Sequence, residues 1–272
     1  MINTTNTTCA EERRPLSLTY NNNILKIGTH NVRGFNSIGK QLSNFISYES
    51  DYELDIIGLT ETKTKKIEEK IWSKIQKKIK NKKSKKMQLD NIDELDNPEI
   101  VREFNKSYST WWSGKEDNYY GAGVGLAIKK PLADRVFSVK RLDGRLLMAD
   151  LHLKRKINIR ITVIYMPADD SDKLERKAIN SKVESWIKQS IDSQKLLIIL
   201  GDFNVNMDNL SINHKIKFNT HKAYIIEIMK KANLLEVQSA KDKTVKNTWQ
   251  THRGNQQISS RIDYIWMSFE LF

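Results

Sequence analysis

The run Lys195-Leu-Leu-Ile-Ile-Leu200, followed at once by Gly201-Asp202-Phe203-Asn204, constrains the fold more than any other stretch of the chain. An apolar run this short, bounded by a lysine and a glycine, reads as a strand covered on both faces. Asp202 and Asn204 then stand at its carboxyl end, on the rim of a sheet, where sites are usually built. An Asp and an Asn after a strand are also ordinary turn chemistry. The meaning of this stretch therefore depends on what the other strand ends carry.

With 272 residues the chain is long enough for one large α/β domain, the reading favoured over two small ones. Residues 1–22, rich in Thr and Asn, lack the apolar core of a secretory signal and are expected to be a flexible polar tail ahead of a domain over 23–272. No apolar run is long enough to cross a bilayer, so no membrane span is expected. Cys9 is the only cysteine, which excludes an internal disulfide and multi-cysteine zinc sites and fits a reducing, intracellular compartment. The formal net charge of +13 favours a polyanionic partner such as nucleic acid or an anionic membrane surface, although a lysine-rich compositional bias produces the same number.

Alternation predicts a first strand over Ile24 to Val32, and an apolar run predicts a second, parallel one over Leu54 to Leu59. Ile38 to Tyr48 between them has helical spacing, giving a β-α-β unit. Lys63 to Lys86 holds twelve lysines and only Glu68 and Glu69, with Ile67, Ile71, Trp72, Ile75 and Ile79 at helical spacing. It reads as a basic amphipathic helix whose lysine face is solvated, contacts phosphates or serves nuclear import. An acidic stretch from Asp90 to Glu99 follows, so 63–106 is taken as a basic helix with an acidic insertion. Gly121 to Ile128, Arg135 to Val139, Arg145 to Leu153 and Ile157 to Tyr165 read as four strands of an antiparallel meander. Gly121, Gly123 and Gly125 lack dinucleotide-binding spacing and a following helix. Ser171 to Ile191 is expected to be a helix with Leu174, Ala178, Val183 and Ile187 inward, and a further helix is expected over His221 to Ala232. The architecture that results is an α/β fold in four layers, α/β/β/α.

Asn31, Glu61, Tyr165, Asp202 with Asn204, and Asp263 all fall at strand ends. Each alone has an ordinary explanation as a turn residue, a helix-start acid, a half-buried aromatic or an edge charge. Together, the segments Ile27-Gly-Thr-His-Asn31-Val-Arg33-Gly34, Ile57-Gly-Leu-Thr-Glu61-Thr, Val163-Ile-Tyr165-Met-Pro167, Leu200-Gly-Asp202-Phe-Asn204 and Arg261-Ile-Asp263-Tyr-Ile resemble the endonuclease/exonuclease/phosphatase, or deoxyribonuclease-I-like, family in order and in wording. Within it, Asn-Val-Arg-Gly, Thr-Glu-Thr and the Thr248-Trp249 pair look most like the endonuclease domain of LINE-type retrotransposons.

The resemblance implies a hydrolase that nicks DNA phosphodiesters with Mg²⁺, Mn²⁺ being possible, and no small-molecule cofactor. In that reading Glu61 ligates the cation and Asn31 holds the metal shell or the phosphate. Asp202 orients or deprotonates the attacking water, Asn204 positions it, Tyr165 donates to a phosphate oxygen and Asp263 orients a histidine. Arg33, Thr248 and Trp249 are the expected nucleic-acid contacts, and a nuclear location is favoured. The family's closing Ser-Asp-His motif does not occur, and none of the five histidines stands in such a setting. The sandwich is therefore expected to lack its final strand, leaving an unpaired edge and a site without its imidazole. The other readings that stand are a nucleic-acid-binding remnant without activity, and a family member acting on another phosphodiester or phosphate ester.

Overall fold

The computed structural model describes residues 4–7, 16–20, 23–34, 52–63, 106–115, 122–169, 172–207, 223–241, 246–254 and 256–272. The helix expected over Ile38 to Tyr48, the basic helix from Lys63 and most of the acidic insertion lie outside them.

The core is two six-stranded sheets packed face to face. The first contains β1 (Thr4–Thr7), β2 (Leu16–Tyr20), β3 (Asn23–Asn31), β4 (Ile56–Thr60), β5 (Tyr108–Ser113) and β6 (Val124–Lys129). Its order is β1-β3-β4-β6-β5, with β2 antiparallel on β3. β3 and β4 are parallel, as the β-α-β reading requires. Two segments of the amino-terminal stretch, read as a flexible polar tail, here pair with β3.

The second sheet contains β7 (Val136–Leu142), β8 (Leu146–His152), β9 (Asn158–Tyr165), β10 (Leu196–Asp202), β11 (Leu235–Glu236) and β14 (Asp263–Met267). Its order is β11-β14-β10-β9-β8-β7, with β9 and β10 parallel and the other pairs antiparallel. β12 (Trp249–Arg253) and β13 (Gln256–Ser260) form a separate antiparallel hairpin.

The opening stretch is a central strand of the second sheet, and every residue of β10 after Leu196 is buried. Leu200 and Ile198 face the first sheet in a core with Ile27, Ile56, Leu126, Leu147 and Val163. Leu197 and Ile199 point the other way, into a second core. That core is closed by α1 (Lys173–Asp192) and α2 (Tyr224–Lys231) through Ile179, Val183, Trp186, Ile226 and Met229. The described layers are thus β/β/α, and α3 (Val237–Lys241) is a single short turn beside β14. No described helix is long and apolar enough to cross a membrane.

Two sequence expectations are corrected. The four central strands are not one meander: β6 belongs to the first sheet, and only β7, β8 and β9 run on in the second. Alternation fixes which face of a strand is apolar but not which sheet it joins. The buried stripe of α1 is Arg176, Ile179, Asn180, Val183, Trp186, Ile187 and Ser190, while Leu174 and Ala178 are exposed. The helical period extended back from Val183 and Ile187 reaches 176 and 179–180, so Leu174 falls on the outer side despite its apolarity.

Candidate active site

The five strand ends meet at one end of the sandwich. Asn31 closes β3, Glu61 follows β4, Tyr165 closes β9, Asp202 closes β10 and Asp263 opens β14. In the second sheet Asp202 is directly opposite Tyr165 on one side and Asp263 on the other. Residues in register share a face, so these three side chains form a row pointing toward the first sheet. Asn31 reaches across from that sheet: its Nδ2 donates to Glu61 Oε1 at 2.9 Å and to Asp202 Oδ2 at 3.1 Å. One amide therefore joins carboxylates carried by different sheets.

The backbone around these groups is specialised. Gly201, at φ +135°, has no room for a side chain, since a Cβ would lie 2.0 Å from the Ile164 carbonyl oxygen. Only glycine lets β10 approach β9 this closely one residue before Asp202. Arg33, Glu61 and Asn204 all take left-handed φ values of 53°, 53° and 49°. Each costs roughly 1 kcal/mol or more and turns the chain sharply off its strand. The Asn204 N–H donates to Asp202 Oδ1 at 2.9 Å, so the Asx-turn reading of this stretch is also correct. Asn204 Nδ2 donates to the Met166 carbonyl at 2.7 Å, tying the turn after β10 to the one after β9. The Tyr264 hydroxyl accepts from Met207 N–H at 2.8 Å and lies 3.0 Å from the Val205 carbonyl oxygen, which anchors the rest of the loop.

Electrostatically the row is under pressure. Asp202 is fully buried, and burial followed by the charge of Asp263 drives its carboxyl well above the usual carboxylate range, with Glu61 adding to the effect. The N–H of Asn204 and the amide of Asn31 only partly oppose this. The Tyr165 hydroxyl is raised by burial, then by Glu61 and Asp202, so it is a neutral donor at physiological pH.

One positively charged residue at the site was not anticipated. Arg145, 2% exposed, sets its guanidinium 5.0 Å from the Tyr165 ring centroid and donates to Glu175 at 3.2 and 3.1 Å. Lys115 joins Glu175 at 3.2 Å. The Tyr165 N–H donates to the Arg145 carbonyl at 2.9 Å, so the same residue holds both backbone and ring. The available signal was an arginine opening a strand whose next six residues are all buried. Arg176 of α1 similarly donates to the carbonyls of Pro167 and Asp169, fixing the segment after Tyr165.

The expected nucleic-acid contacts are placed differently from one another. Arg33 is exposed beside Asn31, and its N–H donates to Asn31 Oδ1 at 3.1 Å. Trp249 is half-buried at the base of the hairpin. Thr248 is fully buried, and its Oγ1 accepts from the N–H groups of Ile262 and Asp263 at 3.0 and 3.1 Å, so its contact is with the backbone of Asp263. Of the histidines, His30 alternates to the face away from Asn31, and burial with the Arg33 charge lowers its pKa to about 4. His152 closes the far end of β8 and His252 lies on the hairpin. His214 and His221 lie outside the described residues.

Among the described residues no three His, Cys, Asp or Glu side chains form a closed metal cage. What converges is a pair of carboxylates, Glu61 and Asp202, on one amide. An oxygen-rich, incompletely enclosed set with accumulated negative charge fits a hard divalent cation that keeps several waters. It does not fit a soft metal that wants thiolate or imidazole.

The sequence matches the Endonuclease/Exonuclease/phosphatase family over residues 28–268. No curated protein matches the chain. Among solved structures, an AP endonuclease from Archaeoglobus fulgidus superposes with a TM-score of 0.56 at 16% identity, over 89% of this chain and 86% of that one. D. rerio TDP2 complexed with single strand DNA product gives 0.52 at 16% identity, over 89% and 83%. TDP2 from Caenorhabditis elegans gives 0.52 at 10% identity over 86% of this chain, which spans only 62% of that protein. At these identities the superpositions establish the fold, while the sequence match carries the lineage. Since that match extends from β3 through β14 and takes in all five strand ends, the chain belongs to the Endonuclease/Exonuclease/phosphatase family, whose members are metal-dependent nucleases and phosphodiesterases.

Proposed function

We propose that the chain is a divalent-metal-dependent endonuclease that cleaves phosphodiester bonds in DNA, of the LINE retrotransposon kind. The observation that carries the reading is the row Tyr165, Asp202, Asp263 facing Asn31 and Glu61 across the two sheets. DNA as the substrate is supported by the net charge of +13 and by the fold shared with an AP endonuclease and with a TDP2 bound to a DNA product. The retrotransposon assignment rests on the wording Asn31-Val-Arg-Gly34 and Thr60-Glu-Thr62 and on Thr248-Trp249. It carries with it a nuclear place of work.

Glu61 and Asn31 would hold the cation, Mg²⁺ by preference, whose chemistry is neutralisation of charge on the phosphoryl oxygens and activation of bound water. The Tyr165 hydroxyl, neutral and steadied by Arg145, donates to a non-bridging phosphate oxygen. Asp202 takes the proton of the attacking water. Its raised basicity suits that role, because burial and Asp263 both make the ionised form a stronger base. Asn204 and the Asp202–Asn31 bond keep the carboxylate aimed.

The test is nicking of supercoiled plasmid DNA by the purified chain. Conversion to open circles in Mg²⁺ or Mn²⁺, abolished by chelation and by Asp202→Asn, is expected. No conversion in either metal by a folded chain that still binds DNA would overturn it in favour of a nucleic-acid-binding remnant.

A further inference from the structure

We propose that the end of the second sheet farthest from the active site carries a separate platform for an unpaired nucleic-acid strand, built on Phe137 and His152 and lined by Lys195 and the turn Lys154-Arg155-Lys156. This goes beyond the proposed cleavage reaction and does not depend on it.

The platform originates in a strand irregularity. β7 pairs with β8 through Val136↔Leu151 and Ser138↔Asp150, leaving Phe137 as an extra residue without a register partner. Bulges of this kind re-aim a side chain. Here Phe137 stacks on His152 with ring centroids 3.8 Å apart and planes 5° from parallel. Phe137 is nevertheless 51% exposed and His152 is exposed as well, so the pair is not a piece of core. The His152 ring is steadied by a hydrogen bond between Nδ1 and Asn158 Oδ1.

Cations surround the pair. Lys195 Nζ stands 5.6 Å from the Phe137 ring centroid and binds Asp150 at 2.8 Å. Asp150 is also paired with Arg160 at 2.7 Å, so this trio of one acid and two bases keeps a net positive charge. Directly after His152 the chain makes a tight turn, closed by Leu153 N–H to the Ile157 carbonyl at 2.8 Å. Its three side chains, Lys154, Arg155 and Lys156, are all basic and exposed, and Arg155 and Lys156 hold left-handed φ values of 60° and 61°. His152 pairs with Asn158 at the opposite end of β9 from Tyr165, about 23 Å away at the rise of an extended strand.

A solvent-exposed aromatic stack bordered by basic side chains is what unpaired strands bind: a base extends the stack and phosphates meet the lysines. A duplex offers no free base face, and an apolar protein partner would have no complement for a rim of exposed basic side chains.

Binding is measured by fluorescence anisotropy in a chelator, so that cleavage plays no part, with a labelled 20-nucleotide oligothymidylate and an abasic strand of equal length. Phe137→Ala is expected to weaken oligothymidylate binding about five-fold or more while leaving the abasic strand unaffected. Phe137→Trp is expected to restore it. Replacing Lys154, Arg155 and Lys156 together by Ala is expected to weaken both strands and flatten the salt dependence by about two log units per log salt. Unchanged oligothymidylate binding by Phe137→Ala, or equal losses on both strands, would overturn the platform. Loss of plasmid nicking with this pattern intact would count against the active-site reading alone.

Discussion

Two buried acids lie at opposite ends of the same sheet, and they are treated in opposite ways. Asp150 accepts two bonds from Arg160 at 2.7 and 2.9 Å and one from Lys195 at 2.8 Å. Burial pushes its carboxyl up, but the hydrogen bonds and charges of those two bases outweigh it and hold it below the usual range. Asp202, two strands away, receives an amide and a backbone N–H among the described residues and faces Asp263 and Glu61 instead. A fold that neutralises one acid completely has the means to neutralise another. The pressure at Asp202 is therefore local to this strand end, where carboxylates crowd without a cation of the chain to balance them among the partners that shift it.

The largest expected effect that would break this contrast is at Asp202 itself. Asp202→Asn is expected to lower plasmid nicking by about 10² to 10⁴-fold while raising the melting temperature, because an uncrowded neutral amide replaces a repelled carboxylate. A lower melting temperature would show that the two acids are equivalent structural elements. Next in size, Asp150→Ala strands Arg160 and Lys195 and is expected to cost about 3 kcal/mol in denaturant unfolding with nicking unchanged. Third, Mg²⁺ or Mn²⁺ at a hundred times its dissociation constant is expected to stabilise the wild-type chain by about 2.7 kcal/mol. Calorimetry should find that gain lost in Glu61→Gln and kept in Asp150→Asn.

The smallest effect concerns acid. A carboxyl whose folded pKa is depressed contributes stability that is present above its unfolded pKa, about 3.9 for Asp and about 4.3 for Glu, and is lost as pH falls through the folded value. Asp150 is in that class, and so is Glu175, where Arg145 and Lys115 overcome the effect of burial. Unfolding followed below about pH 4 should show a loss of stability in the wild type that is shallower in Asp150→Asn.

The α/β sandwich was legible in the sequence, and so was the gathering of five polar strand ends at one end of it. Asn31, Glu61, Tyr165, Asp202 and Asp263 each follow or interrupt an apolar run, and polar groups at strand ends can only collect where those ends collect. Arg145, at a turn between strands, and Glu175, in the first turn of α1, were hidden because a lone charge in either place looks like any surface charge until its burial is known. The division of the central strands between sheets was hidden for a similar reason, since β6 and β8 have the same apolar character and differ only in partner. The hairpin and β5 went unread: the former is mostly polar with an exposed face, and the latter, Tyr-Ser-Thr-Trp-Trp-Ser, abuts the acidic insertion.

Asn31 belongs to one sheet and Asp202 to the other, so their 3.1 Å bond is also a gauge of how the two sheets are aligned. Alignment is fixed nearby where Gly58 faces Leu200: a Cβ at Gly58 would sit 2.8 Å from a Leu200 methyl, two residues before Asp202. A bulkier residue at that contact would wedge the sheets apart or slide them. The proposed chemistry would then be detuned from within the core, with each residue assigned to it still in place on its own strand.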